Sequence, residues 1–231
     1  MQTKYSVSPA GAPSATTERT IKVTLALLVS GVVAGPLYIS VSLIQGFTRQ
    51  GFDLTRHSIS LLSNGDLGWI QITNFLISGL LVIAGAAGMR RAIHSGRGRI
   101  WGPLLVGIYG LGVIGAGIFI ADPMNGFPPG APLDANTMSW HGLLHFICGG
   151  VGFLALIAAC FVFANRFATL AQRGWAAYSA ATGLIFFAAF SGIASGSAQP
   201  WTVIGFWIGL VLAWTWISVM AARLIARPLK V

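Results

Sequence analysis

Ala121-Asp122-Pro123-Met124-Asn125-Gly126-Phe127-Pro128-Pro129-Gly130, resuming at Trp140-His141-Gly142-Leu143-Leu144-His145, is the stretch from which the fold can be read. One apolar run ends in an Asp-Pro, a Gly/Pro-rich loop follows, and a second apolar run opens with two histidines four residues apart. Proline stops a helix, and a run of roughly 20 apolar residues crosses a bilayer. The stretch therefore reads as the end of one membrane span, a short connection, and the start of the next.

Composition supports this. The chain has 231 residues, of which 55% are hydrophobic and 8% charged, where a soluble domain carries about 25% charged residues. Such a chain cannot cover a water-facing surface, and it reads as an integral membrane protein. The formal net charge is +9. Topology accounts for that excess, since Lys and Arg collect on the cytoplasmic side of membrane proteins; nucleic acid is set aside as a partner. Cys148 and Cys160 share one span, about 18 Å apart along a helix, too far to pair within it.

Outward from the central loop, the third span runs from Trp101 to about Ala121 and the fourth from Trp140 to about Ala164. The first covers about Ile21–Gln45, the second Trp69–Met89, the fifth Trp175–Ser195 and the sixth Trp201–Ala222. Gly31 and Gly35 form a small-xxx-small pair for close helix packing. Residues 1–20, rich in Ser, Thr, Ala and Pro, read as a disordered tail, and 223–231 as a basic tail. Residues 53–64 predict a short helix at the outer interface, with Asp53 as its N-cap and Asn64-Gly65 as its stop. Trp69, Trp101, Trp140, Trp175 and Trp201 fall at span boundaries and read as interfacial anchors.

The fold expected is an all-α bundle of six transmembrane helices. With both termini in the cytoplasm, Lys4, Arg19, Lys22, Arg90, Arg91, Arg97, Arg99, Arg166, Arg173, Arg223, Arg227 and Lys230 lie inside, and only Arg49 and Arg56 outside. That asymmetry sets the orientation and places the chain in the cell membrane as a multi-pass protein.

On this topology the ionisable groups gather at the outer face. Asp122 ends the third span, His141 begins the fourth, and His145 lies one turn deeper, about 6 Å further in. His141, His145, Cys148 and Gly152 share one helix face. His57 and Ser58 hang above on the first loop. Burying such groups requires partners, and three readings follow. In the first, His141 and His145 are structural, bonding loop carbonyls and Asp122. Alternatively, His57, His141 and His145 hold a divalent metal, zinc by donor type, with Asp122 and Ser58 in catalytic roles. In the third reading the pocket, lined also by Asp53, Asn74 and Asn125, binds a small molecule or a membrane lipid, or relays protons, without metal.

Asp53-Leu54-Thr55-Arg56-His57-Ser58-Ile59-Ser60, Phe119-Ile120-Ala121-Asp122-Pro123 and Trp140-His141-Gly142-Leu143-Leu144-His145 together resemble the prokaryotic membrane proteins of domain of unknown function 998. The resemblance implies a bundle of about six helices and no particular activity. A looser likeness, at the level of the site, is to the ceramidase and progestin-receptor-like membrane hydrolases, which set one Asp, one Ser and three His around zinc. It implies Asp122, Ser58, His57, His141 and His145 in those roles. Those proteins have seven spans, with the histidine pair on the last.

The expected function is binding of a small molecule or lipid at the outer pocket, in a transporter-like or lipid-binding protein. The alternative is a metal-dependent hydrolase acting on a lipid or amide. Ionisable groups at the outer edge, with none at mid-membrane, argue against ion-coupled transport.

Overall fold

The computed structural model describes residues 15–133, 138–196 and 199–227. They form six α-helices: α1 (Ala15–Thr48), α2 (Gly68–Ala92), α3 (Trp101–Ile118), α4 (Trp140–Thr169), α5 (Arg173–Ala194) and α6 (Pro200–Ile225). All six are long and apolar enough to cross a membrane. The shortest, α3, has 18 residues, about 27 Å of helix against a hydrocarbon core of about 30 Å.

Each helix packs against its neighbours in sequence, and α1 closes the ring against α6. Short connections between antiparallel neighbours produce this order. Chemistry separates the two ends. The α1–α2 and α3–α4 connections carry His57 and Asp122 and define a histidine end. The opposite end, with the α2–α3 and α4–α5 connections and the exit of α6, holds Arg90, Arg91, Arg97, Arg99, Arg166, Arg173, Arg223 and Arg227 and defines an arginine end.

Small residues set the helix spacing. Gly31 of α1 lies against Gly85 of α2 and Ala221 of α6, and a Cβ at Gly85 would press on the Gly31 backbone. Gly35 meets Ser218 and the Trp214 carbonyl of α6. The Gly31/Gly35 pair is thus a packing device, as its spacing predicts. The larger core side chains, Trp214, Trp216, Tyr109, Phe186 and Leu156, fill the centre of the ring.

Two expectations change. α1 begins at Ala15, within the stretch expected to be a tail; residues 1–14, and 228–231 at the other terminus, lie outside the described residues. The loop after α1 does not form an interfacial helix over 53–64. Residues 53–56 make a tight turn, and only Ile59–Ser63 is helical, as a 3-10 turn. Ile59, Leu61 and Leu62 are 5%, 1% and 0% exposed. The loop folds inward over the end of the bundle because these apolar side chains find protein, not lipid, to pack against. Leu61 joins Ala121 and Phe127 in a small cluster that seals the α1–α2 and α3–α4 connections together.

Candidate functional site

The histidine end is built from the loop after α1. Asp53 starts the turn. Its carboxylate accepts from the Thr55 backbone N–H (2.8 Å) and hydroxyl (2.7 Å), and its carbonyl accepts from the backbone N–H groups of Arg56 and His57. The Thr55 hydroxyl, followed by the Thr55 N–H, holds the Asp53 carboxyl below the usual carboxylate range. Asp53 thus shapes the turn rather than lining a pocket.

The turn delivers His57, 2% exposed, into the junction between loops. Its Nδ1 accepts from the Asp53 backbone N–H at 2.8 Å. That bond leaves the proton on Nε2, which donates to the Asn125 carbonyl at 3.0 Å. Asn125 returns a bond from its amide to the Arg56 carbonyl, and the indole N–H of Trp207 on α6 donates to the His57 carbonyl at 3.1 Å. Phe52 and Phe127 pack on the ring. One histidine therefore ties the first loop to the α3–α4 connection and to α6, with both ring nitrogens engaged.

Arg49 completes the junction. Its guanidinium donates to the carbonyls of Leu62 (2.6 Å) and Asn64 (2.7 Å) and lies over the Phe127 ring. These bonds hold the end of the 3-10 turn. Partial burial lowers the pKa of Arg49, and the nearby Asp66 charge opposes the shift. Charge counting treats Arg49 as one of two outer cations; its structural role is not visible until the loop folds back.

The α3–α4 connection has its own joint. Asp122 accepts from the backbone N–H and hydroxyl of Ser139, and the Ser139 hydroxyl accepts from the Gly142 N–H. Ser139 is the N-cap of α4, so the Asp122 charge sits at a helix N-terminus, where it is favoured. A Cβ at Gly142 would collide with the carboxylate. The Nδ1 of His145 lies 2.9 Å from the Ala116 carbonyl and 2.8 Å from that of Phe119. It is the donor to carbonyls left open at the end of α3.

The His141, His145, Cys148, Gly152 stripe is the seam between α3 and α4, since Cys148 and Gly152 meet Gly112 and Gly115 of α3. His141, at the exposed end of the stripe, lies against Trp140 in a tilted ring contact with centroids 3.6 Å apart.

The expected metal set is not brought together. Among the described residues, no three of His, Cys, Asp and Glu form a group able to hold a metal ion. His57 is locked between loops, His145 faces α3 carbonyls and His141 faces outward on Trp140. Ser58 contacts the Ser60 hydroxyl, and Asp122 is held by Ser139. The hydrolase-like arrangement of Asp122, Ser58, His57, His141 and His145 does not assemble, because a separate contact claims each of the five side chains.

Asn74 belongs to a different structure, a buried polar seam between α1 and α2. Its amide donates to the Tyr38 carbonyl and to Ser42, and Ser78 donates to its oxygen. Gln45 donates to Gln71 at 2.8 Å. Such amide and hydroxyl contacts join helices within a bilayer. Asn125 takes part through its carbonyl and amide in the loop junction rather than in an open pocket.

An open concavity lies elsewhere. A groove of about 360 Å³ runs between α1 and α6, lined by Leu43 of α1, Leu54 of the loop, and Ile204, Trp207, Ile208 and Val211 of α6. The one polar atom of the Trp207 side chain points away to the His57 carbonyl, so the loop junction holds one wall of the groove. No sequence signal marks this groove, since its residues are those of any apolar helix face.

The family model for a protein of unknown function, DUF998, matches residues 32–223. The chain belongs to this family. Neither the curated proteins nor the solved structures include a match.

Proposed function

We propose that this DUF998 protein is a lipid-binding protein of the cell membrane, with its arginine end in the cytoplasm, and that it holds the acyl chain of a membrane lipid in the groove between α1 and α6. The observation that carries the reading is the groove itself, open, concave and lined by apolar side chains. Its volume falls within the range of about 300–1,000 Å³ usual for small-molecule sites. It lies on helices long and apolar enough to cross a membrane, so hydrocarbon chains reach it directly. In that solvent an occupant gains by shape and dispersion contacts rather than by leaving water. A concave groove offers more such contacts than a flat helix face.

The polar groups of the histidine end support binding rather than hydrolysis, because hydrogen bonds within the loop junction, the α4 cap and the α3–α4 seam occupy them. The orientation is supported by twelve basic residues on one side against two on the other.

Native mass spectrometry of protein extracted in mild detergent tests the reading. Ile208 is 54% exposed, so Ile208→Trp fills the groove without entering the core. We expect phospholipid retained by the native protein and lost from I208W. Equal retention by both contradicts the proposal.

A further inference from the structure

At the arginine end, Arg223 of α6 and Arg227 just beyond α6 converge on the Gln172 side chain, on the side of the bundle where Arg166 lies in the last turn of α4. We infer that they form a binding site for a phosphate group, carried by an anionic lipid headgroup or by a soluble phosphate.

Arginines on this side follow from topology alone. These three differ from the rest in what surrounds them. Arg223 and Arg227 direct two cationic groups at one acceptor atom, and all three arginines are half-buried. Among the described residues no carboxylate is paired with them. Glu18, in α1, is paired with Lys22. Asp53, Asp66 and Asp122 lie at the histidine end, and Asp134 falls outside the described residues.

Their partners are neutral. Arg166 donates to the carbonyls of Ser95 and Arg97. Arg223 and Arg227 both donate to one amide oxygen, that of Gln172, at 2.6 and 3.0 Å. A single neutral acceptor serves two guanidinium groups, so their charge stays uncompensated. The Nε of Arg223 is buried with no hydrogen-bond partner. Its guanidinium lies 3.9 Å from the Trp175 ring centroid and 5.3 Å from that of Phe167. The rings orient the guanidinium and leave its charge uncancelled.

Converging, half-buried guanidinium groups with spare donors favour an anion that accepts several charge-assisted hydrogen bonds at once, which is the chemistry of phosphate. Basic pockets between helices on the cytoplasmic side take lipid headgroups for the same reason. The site is independent of the acyl-chain groove, which lies towards the other end of α6, and either can fail alone.

The test uses the full chain in neutral detergent, titrated separately with phosphatidylglycerol, phosphatidylcholine and inorganic phosphate, with thermal unfolding as the readout. The variants are Arg227→Gln, Arg227→Lys and, as a charge control, Arg99→Gln at an exposed position of the same end. We expect phosphatidylglycerol, but not phosphatidylcholine, to raise the Tm of the native protein and of R99Q. R227Q weakens the response about tenfold, the effect of losing one charge-assisted contact, and R227K lies between. If inorganic phosphate alone reproduces the shift, the ligand is soluble phosphate; if only the lipid does, it is the headgroup. The inference is overturned if R99Q loses as much as R227Q, or if neither phosphate source separates native from variant. Should R227Q fail to fold, R227K carries the comparison, and a response equal to native overturns the inference.

Discussion

The Nε2 of His57 donates to the carbonyl of Asn125 at 3.0 Å, across 68 residues of chain. On its other side the ring accepts from the Asp53 N–H. Replacing His57 by Phe keeps a ring of similar size and leaves both backbone groups without partners in a buried site. We expect H57F to lose about 1–3 kcal/mol of stability, and H57A more, because a cavity is added. Thermal unfolding in detergent measures both; an H57F protein as stable as native would contradict the junction.

Arg49 makes two bonds to loop carbonyls from one planar group. Lysine cannot reproduce that fork. The expected order of stability is native, then R49K, then R49A, with about 2–3 kcal/mol lost in R49A. Limited proteolysis within residues 59–64 should accelerate in the same order.

Gly142 lies against the Asp122 carboxylate, with no room for a side chain. Gly142→Ala should cost about 1–3 kcal/mol by overpacking. In D122A/G142A the carboxylate is absent and the two costs should not add. A double-mutant cycle that is additive would show that the two residues do not meet.

Thr55 holds the Asp53 carboxyl below its usual range. A folded pKa below the unfolded one contributes stability that is present above the unfolded value, about 4, and is lost as pH falls through the folded value. Removing the hydroxyl in Thr55→Val should therefore cost stability at pH 6, and the gap to native should close under acid. Asp53 is exposed, so the effect is small. Paired unfolding curves between pH 6 and pH 3 measure it; a gap that widens under acid would contradict the assignment.

The six helices were legible because membrane physics writes them plainly, as long apolar runs bounded by tryptophan and arginine. Even there, Trp175 is half-buried beneath Arg223 rather than a free interfacial anchor. The first loop was less legible. Ile59, Leu61 and Leu62 suit a lipid interface as well as a protein interior, and only tertiary contact decides between them. The histidine site was legible in place but not in use. The spacing of His141 and His145 puts both on one face of α4. The neighbouring α3 decides that this face is a packing seam, and nothing in the spacing reveals it. The structural roles of Arg49 and Trp207 have no sequence signature, because their partners are backbone carbonyls.

The most direct test of the acyl-chain groove is photolabelling in vesicles with a phospholipid carrying a diazirine on its acyl chain, the labelled peptides being mapped by mass spectrometry. Label is expected to concentrate at Leu43, Leu54 and Trp207 and to be displaced in I208W. Label spread evenly over other outward-facing side chains such as Leu80, Leu111 and Leu184, 60%, 60% and 59% exposed, would contradict it.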